Sequence, residues 1–77
     1  MKLKELLNVL NPREFCCVSW NSGESMEDVY NYANLLKHDT KILTFNVVVV
    51  YTSKGNENQS IIHILLDPST HAEEKEL

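Results

Sequence analysis

Glycine and proline are nearly missing from this sequence, with two of each in 77 residues. Gly23 and Gly55 stand far apart, so no glycine-rich loop exists to wrap backbone N–H groups around a phosphate. Cysteine is equally scarce. Cys16 and Cys17 are neighbours, and adjacent strand residues point to opposite faces, which makes an ordinary disulfide between them sterically poor. They read as reduced thiols acting as small buried hydrophobes. There is no C-x-x-C pair, and His38, His63 and His71 include no pair at i, i+4, so neither a metal site nor a cofactor is expected.

Catalytic patterns are lacking too. Asn21-Ser22-Gly23-Glu24-Ser25 has no G-x-S-x-G spacing and reads as a turn, not as a nucleophile elbow. Glu27 and Asp28 are adjacent in sequence, and a chain of this size builds no cleft in which paired carboxylates would work as acid and base. No residue is assigned a catalytic role, and the chain is expected not to be an enzyme. Long apolar runs are absent as well. Val47 to Tyr51 and Ile61 to Leu66 fall far short of the roughly 20 residues that span a bilayer. Glu5 and Asn8 interrupt the leucines near the N-terminus, which leaves no continuous signal-peptide core. A cytoplasmic protein is the expectation.

The formal charge is -4, and residues 1–68 carry six basic against eight acidic side chains, a net -2. The basic residues are scattered, without the patch that phosphate backbones require, so direct nucleic-acid binding is not expected. A carboxylate surface imitating DNA would need a larger, one-sided acidic excess.

What is present is an amphipathic pattern. Leu3, Leu6, Leu7 and Leu10 lie at i, i+3, i+4 and i+7, which predicts a helix ended by Pro12. Phe15 to Trp20 reads as a strand followed by a turn at Asn21-Ser22-Gly23. Ser25 to Lys37 is open between two readings. Met26, Val29, Tyr30, Ala33 and Leu36 fit a helical stripe, whereas Val29 to Tyr32 also suits a strand, with Asn34 positioned to cap a helix beginning at Leu35. Val47 to Thr52 and Ile61 to Leu66 form a hairpin around a polar connection. The residues after Asp67-Pro68 are polar, so residues 1–68 are expected to make one compact domain and residues 69–77 a frayed tail.

Met1 to Leu10, Cys17-Val18-Ser19-Trp20, Tyr30-Asn31-Tyr32-Ala33-Asn34-Leu35-Leu36 and Asn46 to Tyr51 together resemble small uncharacterised proteins encoded by phages and prophages of gut Firmicutes. The resemblance covers residues 1 to about 67 and carries no chemical signature. It implies a strand at Val29 to Ala33 and a short helix from Asn34, hence an α+β fold: an N-terminal helix on a mostly antiparallel sheet of about four strands, in the order helix, hairpin, short helix, hairpin. It also implies a phage accessory role, of which interference with bacterial defence is a common kind. The expected function is a stoichiometric inhibitor that binds a bacterial host protein, and the alternative is an oligomeric sponge for a nucleotide-like signalling molecule.

Two residue groups carry these expectations. Trp20, Tyr30 and Tyr32 beside Asn21 and Asn34 combine rigid aromatics with amides, the composition of a ligand or partner site, although the simpler reading is that Trp20 and one tyrosine complete the small core. The hairpin strands do not alternate apolar with polar residues. Taken as regular strands, Val48 and Val50 share a face opposite Val47, Val49 and Tyr51, and Ile62 and Ile64 face away from His63. One helix covers one face of a sheet, so Val48, Val50, Ile62 and Ile64 are expected at the interface of a homodimer or larger oligomer.

Overall fold

A computed structural model describes residues 1–68, and the tail expected over residues 69–77 lies outside the described residues. The element order is α1 (Leu3–Val9), β1 (Phe15–Ser22), β2 (Ser25–Tyr32), α2 (Ala33–Leu36), β3 (Asn46–Lys54) and β4 (Ser60–Asp67), with a tight turn at Asn56–Asn58 between the last two strands. This is the α+β arrangement of helix, hairpin, short helix and hairpin. It resolves the open segment in favour of strand at Ser25–Tyr32, followed by a short helix that begins at Ala33.

The β1–β2 hairpin turns through two residues, and Gly23 takes the one positive φ there, +68°. That is the first central position, where tight hairpin turns favour glycine because a Cβ is penalised. The strands run in the sheet order β2-β1-β4-β3. Both hairpins are antiparallel, and they join side by side through their inner strands, β1 and β4, which are parallel. The register places Cys16 beside Ile62, Val18 beside Ile64 and Trp20 beside Leu66.

Residues paired across a sheet share a face, so these three pairs define the face on which the helices lie. Leu3 and Leu7 of α1, Ala33 and Leu36 of α2, and Ile42 from the following connection all join Cys16, Val18, Trp20, Ile64 and Leu66 in one buried cluster. Leu6 and Leu10 pack at its margin. The leucine stripe of α1 therefore does what its spacing predicts. α2 packs on this same face, so among the described residues the opposite face of the sheet is left bare.

The start of α1 is tied to the chain just before β3. Leu3 and Lys4 donate N–H groups that a helix leaves unpaired to the carbonyls of Phe45 and Leu43, both at 3.0 Å. Val47 donates to the Met1 carbonyl at 2.7 Å, and the Glu5 carboxylate accepts the Lys2 N–H at 2.8 Å. A seven-residue helix is too short to hold itself together, so these anchors and the buried leucines supply its stability.

Two expectations are corrected. First, β3 is irregular between Val47 and Val49: Val47 pairs with Leu66 and Val49 with Leu65, leaving Val48 as the extra residue of a bulge. The bulge switches parity, so Val47 lies on the helix side while Val49 and Tyr51 lie on the bare side. Second, Ile62 and Ile64 belong to the helix side, and Ile64 is 1% exposed inside the chain's own core. Neither is presented for an oligomer interface. Val48 and Val50 are exposed, Val50 on the helix side but beyond the helices' reach.

Leu7→Ala removes a fully buried side chain from the centre of the α1 contact. Chemical denaturation should show a loss of about 2 to 4 kcal/mol, a large part of the stability of so small a domain. Val9→Ala on the exposed side of the same helix should be close to neutral.

Candidate functional site

The bare face is built by the residues that alternate with the core positions. Phe15, Cys17, Ser19 and Asn21 come from β1, Met26, Asp28, Tyr30 and Tyr32 from β2, Val49, Tyr51 and Ser53 from β3, and Ile61, His63 and Leu65 from β4. At its centre the register aligns Tyr30, Cys17, His63 and Tyr51 in one row across all four strands. Tyr30 and Tyr51 are 56% and 55% exposed. The four strands and the five-residue overlap of β1 with β4 make this face roughly 300 Å², from the standard strand spacing and rise. That lies in the range of functional patches on soluble proteins.

Its aromatic residues are ordered by contacts with one another. The Tyr51 and His63 rings stack with centroids 4.6 Å apart and planes 3° from parallel, and Ser53 Oγ lies 2.6 Å from His63 Nε2. Phe15 meets Tyr32 edge-on at 5.3 Å and lies tilted by 30° to Tyr30 at 6.3 Å. Cross-strand aromatic pairs of this kind hold side chains in fixed rotamers, so little conformational entropy is lost when something lands on them. Asp28 and, at the end of β4, Asp67 are carboxylates of this face, and the Tyr30 hydroxyl is held above the ordinary tyrosine range, first by its hydrogen bond to Cys17 and then by the neighbouring charges.

The candidate binding residues separate. Tyr30 and Tyr32 belong to the bare face. Trp20 lies on the helix side, 5% exposed, edge-on to Phe45 at 6.0 Å with Lys41 Nζ 5.8 Å from its ring. It is a core residue because its partners on β4 and β2, Leu66 and Glu27, fall on the helix-facing parity. Asn21 lies at one end of the sheet in a shallow groove with Val48 and Leu65, whereas Asn34 sits at the opposite end beside Tyr32, Arg13 and Leu35. Phe15, Tyr51 and His63 were not among the candidates. Their common face became visible only once β1 and β4 were aligned, although the spacing of Ile61, His63 and Leu65 already put those three together.

Ser53 and His63 form a hydroxyl–imidazole pair, but no acidic side chain hydrogen-bonds to His63 among the described residues, and activated nucleophiles need such an orienting group and an oxyanion donor. No group of three or more His, Cys, Asp or Glu side chains capable of holding a metal occurs among the described residues. Among those residues, no helix is long and apolar enough to cross a membrane. Cys16 and Cys17 are free and buried. The Cys16 thiol points to the Glu14 carbonyl at 3.7 Å, and burial, then the Glu14 charge, push its pKa up to about 11. A thiol so protonated is a poor nucleophile. Comparison with protein families, curated proteins and solved structures gave no match, so the site is read from its own geometry.

The raised Cys16 value sets a pH dependence. Up to the ordinary thiol value of 9.0 both states keep the proton; from there to about 11 the unfolded chain releases it and the folded chain does not, so stability falls as pH rises. Denaturation midpoints should decline across that window, and Cys16→Ala should flatten the decline. An equal decline in the variant would assign it to other groups.

Proposed function

We propose that this chain is a non-catalytic binding protein whose working surface is the bare face of its sheet. The observation that supports this reading is the row Tyr30, Cys17, His63 and Tyr51, with two half-exposed tyrosines and Phe15 and Tyr32 beside it. Rigid exposed aromatics around an uncharged centre are the composition of protein-binding hot spots, where a few such side chains supply most of the affinity. Single-stranded nucleic acid also stacks on aromatic sheet faces, but it needs a cationic groove, and among the described residues this face carries Asp28 and Asp67 and no lysine or arginine. The likeness to phage accessory proteins supplies the kind of partner: a bacterial host protein, of the defence class, blocked by stoichiometric occupation.

The test compares three immobilised proteins exposed to bacterial extract. A host protein held in near-equimolar amount by the wild type should be lost from a Tyr30→Glu/Tyr51→Glu variant, with affinity reduced about 30-fold or more. Lys37→Glu, on the helix side, should retain it. Retention by the tyrosine variant, or loss from Lys37→Glu alone, would refute the assignment of the face.

Self-association belongs to a different strip of the molecule. β3 is an edge strand of nine residues whose one charged side chain is Lys54, and Val48, Val49 and Val50 are all about half exposed along it. Uncharged edges of this length pair readily with a second copy. Antiparallel pairing of β3 with its symmetry mate doubles the sheet and leaves the aromatic faces free to bind two partners. Light scattering should then give about twice the 8.9 kDa of one chain, falling to one chain in Val50→Lys. A wild-type mass of one chain, unchanged on concentration, would overturn the dimer.

A further inference from the structure

We propose a small-ligand site of its own at the corner where the β1–β2 hairpin meets α2: a groove of about 480 Å³ lined by Arg13, Tyr32, Asn34 and Leu35, suited to a free mononucleotide, a flat ring carrying one phosphate group. The volume falls within the roughly 300 to 1,000 Å³ of small-molecule sites. The groove shares Tyr32 with the margin of the partner-binding face, but it takes a different occupant, and the inference does not depend on what binds that face.

The walls are fixed by backbone pairing. Ala33 and Asn34 donate their N–H groups to the carbonyls of Glu14 and Pro12 at 2.9 and 3.1 Å, which lashes the start of α2 to the turn carrying Arg13. That turn is closed in its own right, with the N–H groups of Glu14 and Arg13 both bound to Asn11, at its carbonyl and its Oδ1, each at 2.9 Å. Tyr32 donates its N–H to Asn31 Oδ1 at 2.9 Å, and its ring is braced edge-on by Phe15. The rim's main chain is thus satisfied within the protein.

The polar side chains of the groove face solvent, where water meets their hydrogen-bonding needs until a ligand replaces it. The Arg13 guanidinium, the Tyr32 hydroxyl and the Asn34 carboxamide have no hydrogen-bond or ion-pair partner among the described residues, although they line one groove. Each supplies what a mononucleotide needs. A guanidinium fork matches phosphate oxygens in pairs. A braced phenol ring offers a stacking surface worth a substantial part of the affinity for a base. The carboxamide both donates and accepts, as the polar edge of a base does, and Leu35 supplies the apolar floor. One guanidinium with no second cation in the lining favours a single phosphate over a chain of them.

Titration of the full chain with adenosine 5′-monophosphate, adenosine and benzoate, followed by NMR and calorimetry, tests this. The monophosphate should bind saturably, one per chain, shifting the Tyr32 ring and Asn34 side-chain resonances. Adenosine, lacking the phosphate, and the Arg13→Gln variant should each bind about tenfold or more weakly, as loss of a charge-assisted pair requires. Benzoate, with an anion but a small ring, should be weaker than the monophosphate. Arg13 is exposed, so its variant folds; Tyr32→Leu, checked for folding by Trp20 fluorescence, should lose the stacking contribution. Equal affinity for adenosine and its monophosphate, no effect of Arg13→Gln, shifts confined to the Asn21 and Val48 groove, or no saturation at all would each overturn the proposal. Tyr51→Glu should leave this binding intact, which separates its fate from that of the sheet face.

Discussion

The parallel register between β1 and β4 is the contact on which the rest of this structure depends. Each hairpin is a local unit with a turn of its own, and an isolated two-stranded hairpin is marginal in water. Joining them through inner strands puts Cys16, Val18 and Trp20 level with Ile62, Ile64 and Leu66, and only that alignment makes a surface wide enough for the leucines of α1 to bury themselves. The same register, read on the other side of the sheet, brings Cys17 level with His63 and so sets Tyr30 and Tyr51 at the two ends of one row. Core and candidate site are therefore two faces of one pairing.

Burying one face is what a chain of this size can do. A fully buried Leu or Ile contributes on the order of 1.5 to 3 kcal/mol, and the chain's fully buried Leu3, Leu7, Leu36, Ile42 and Ile64 all belong to the single helix-side cluster. α1 has seven residues and α2 four, so together they cover the inner strands and leave most of β3 outside. The exposure of Val48, Val49, Val50 and Tyr51 follows from this shortage of helix, not from weak hydrophobicity in the strand. What the fold leaves uncovered is then the apolar surface available for contacts between molecules.

Strain is concentrated in the connection between β3 and β4. Glu57 and Asn58 adopt φ of 58° and 65° there, a region that L-residues other than Asn and Asp seldom occupy. The five residues from Gly55 to Gln59 close with paired bonds, Gly55 N–H to the Gln59 carbonyl at 2.6 Å and Gln59 N–H to the Asn56 carbonyl at 3.2 Å. This tight closure and the bulge at Val48 together set which residues of β3 face the helices, and so which of them stand beside His63.

Much of the fold was legible along the chain because it rests on local physics. Leucine spacing specified α1, β-branched and aromatic runs specified the strands, and the scarcity of glycine outside Gly23 and Gly55 marked where the hairpins turn. Local pattern left Ser25–Tyr32 divided between helix and strand, because its apolar residues satisfy both periods, and its pairing with β1 decided the matter. The candidate site was legible only in part. Tyr30 and Tyr32 could be named from composition, but Trp20 went to the core and His63, Tyr51 and Phe15 joined the face for a reason no local window contains: the side of a strand residue depends on its partner's register, and a single bulged residue reverses it. Sequence determined which segments were strands and helices; the tertiary structure decided which face was covered, because that choice was made by contacts between residues far apart in the chain.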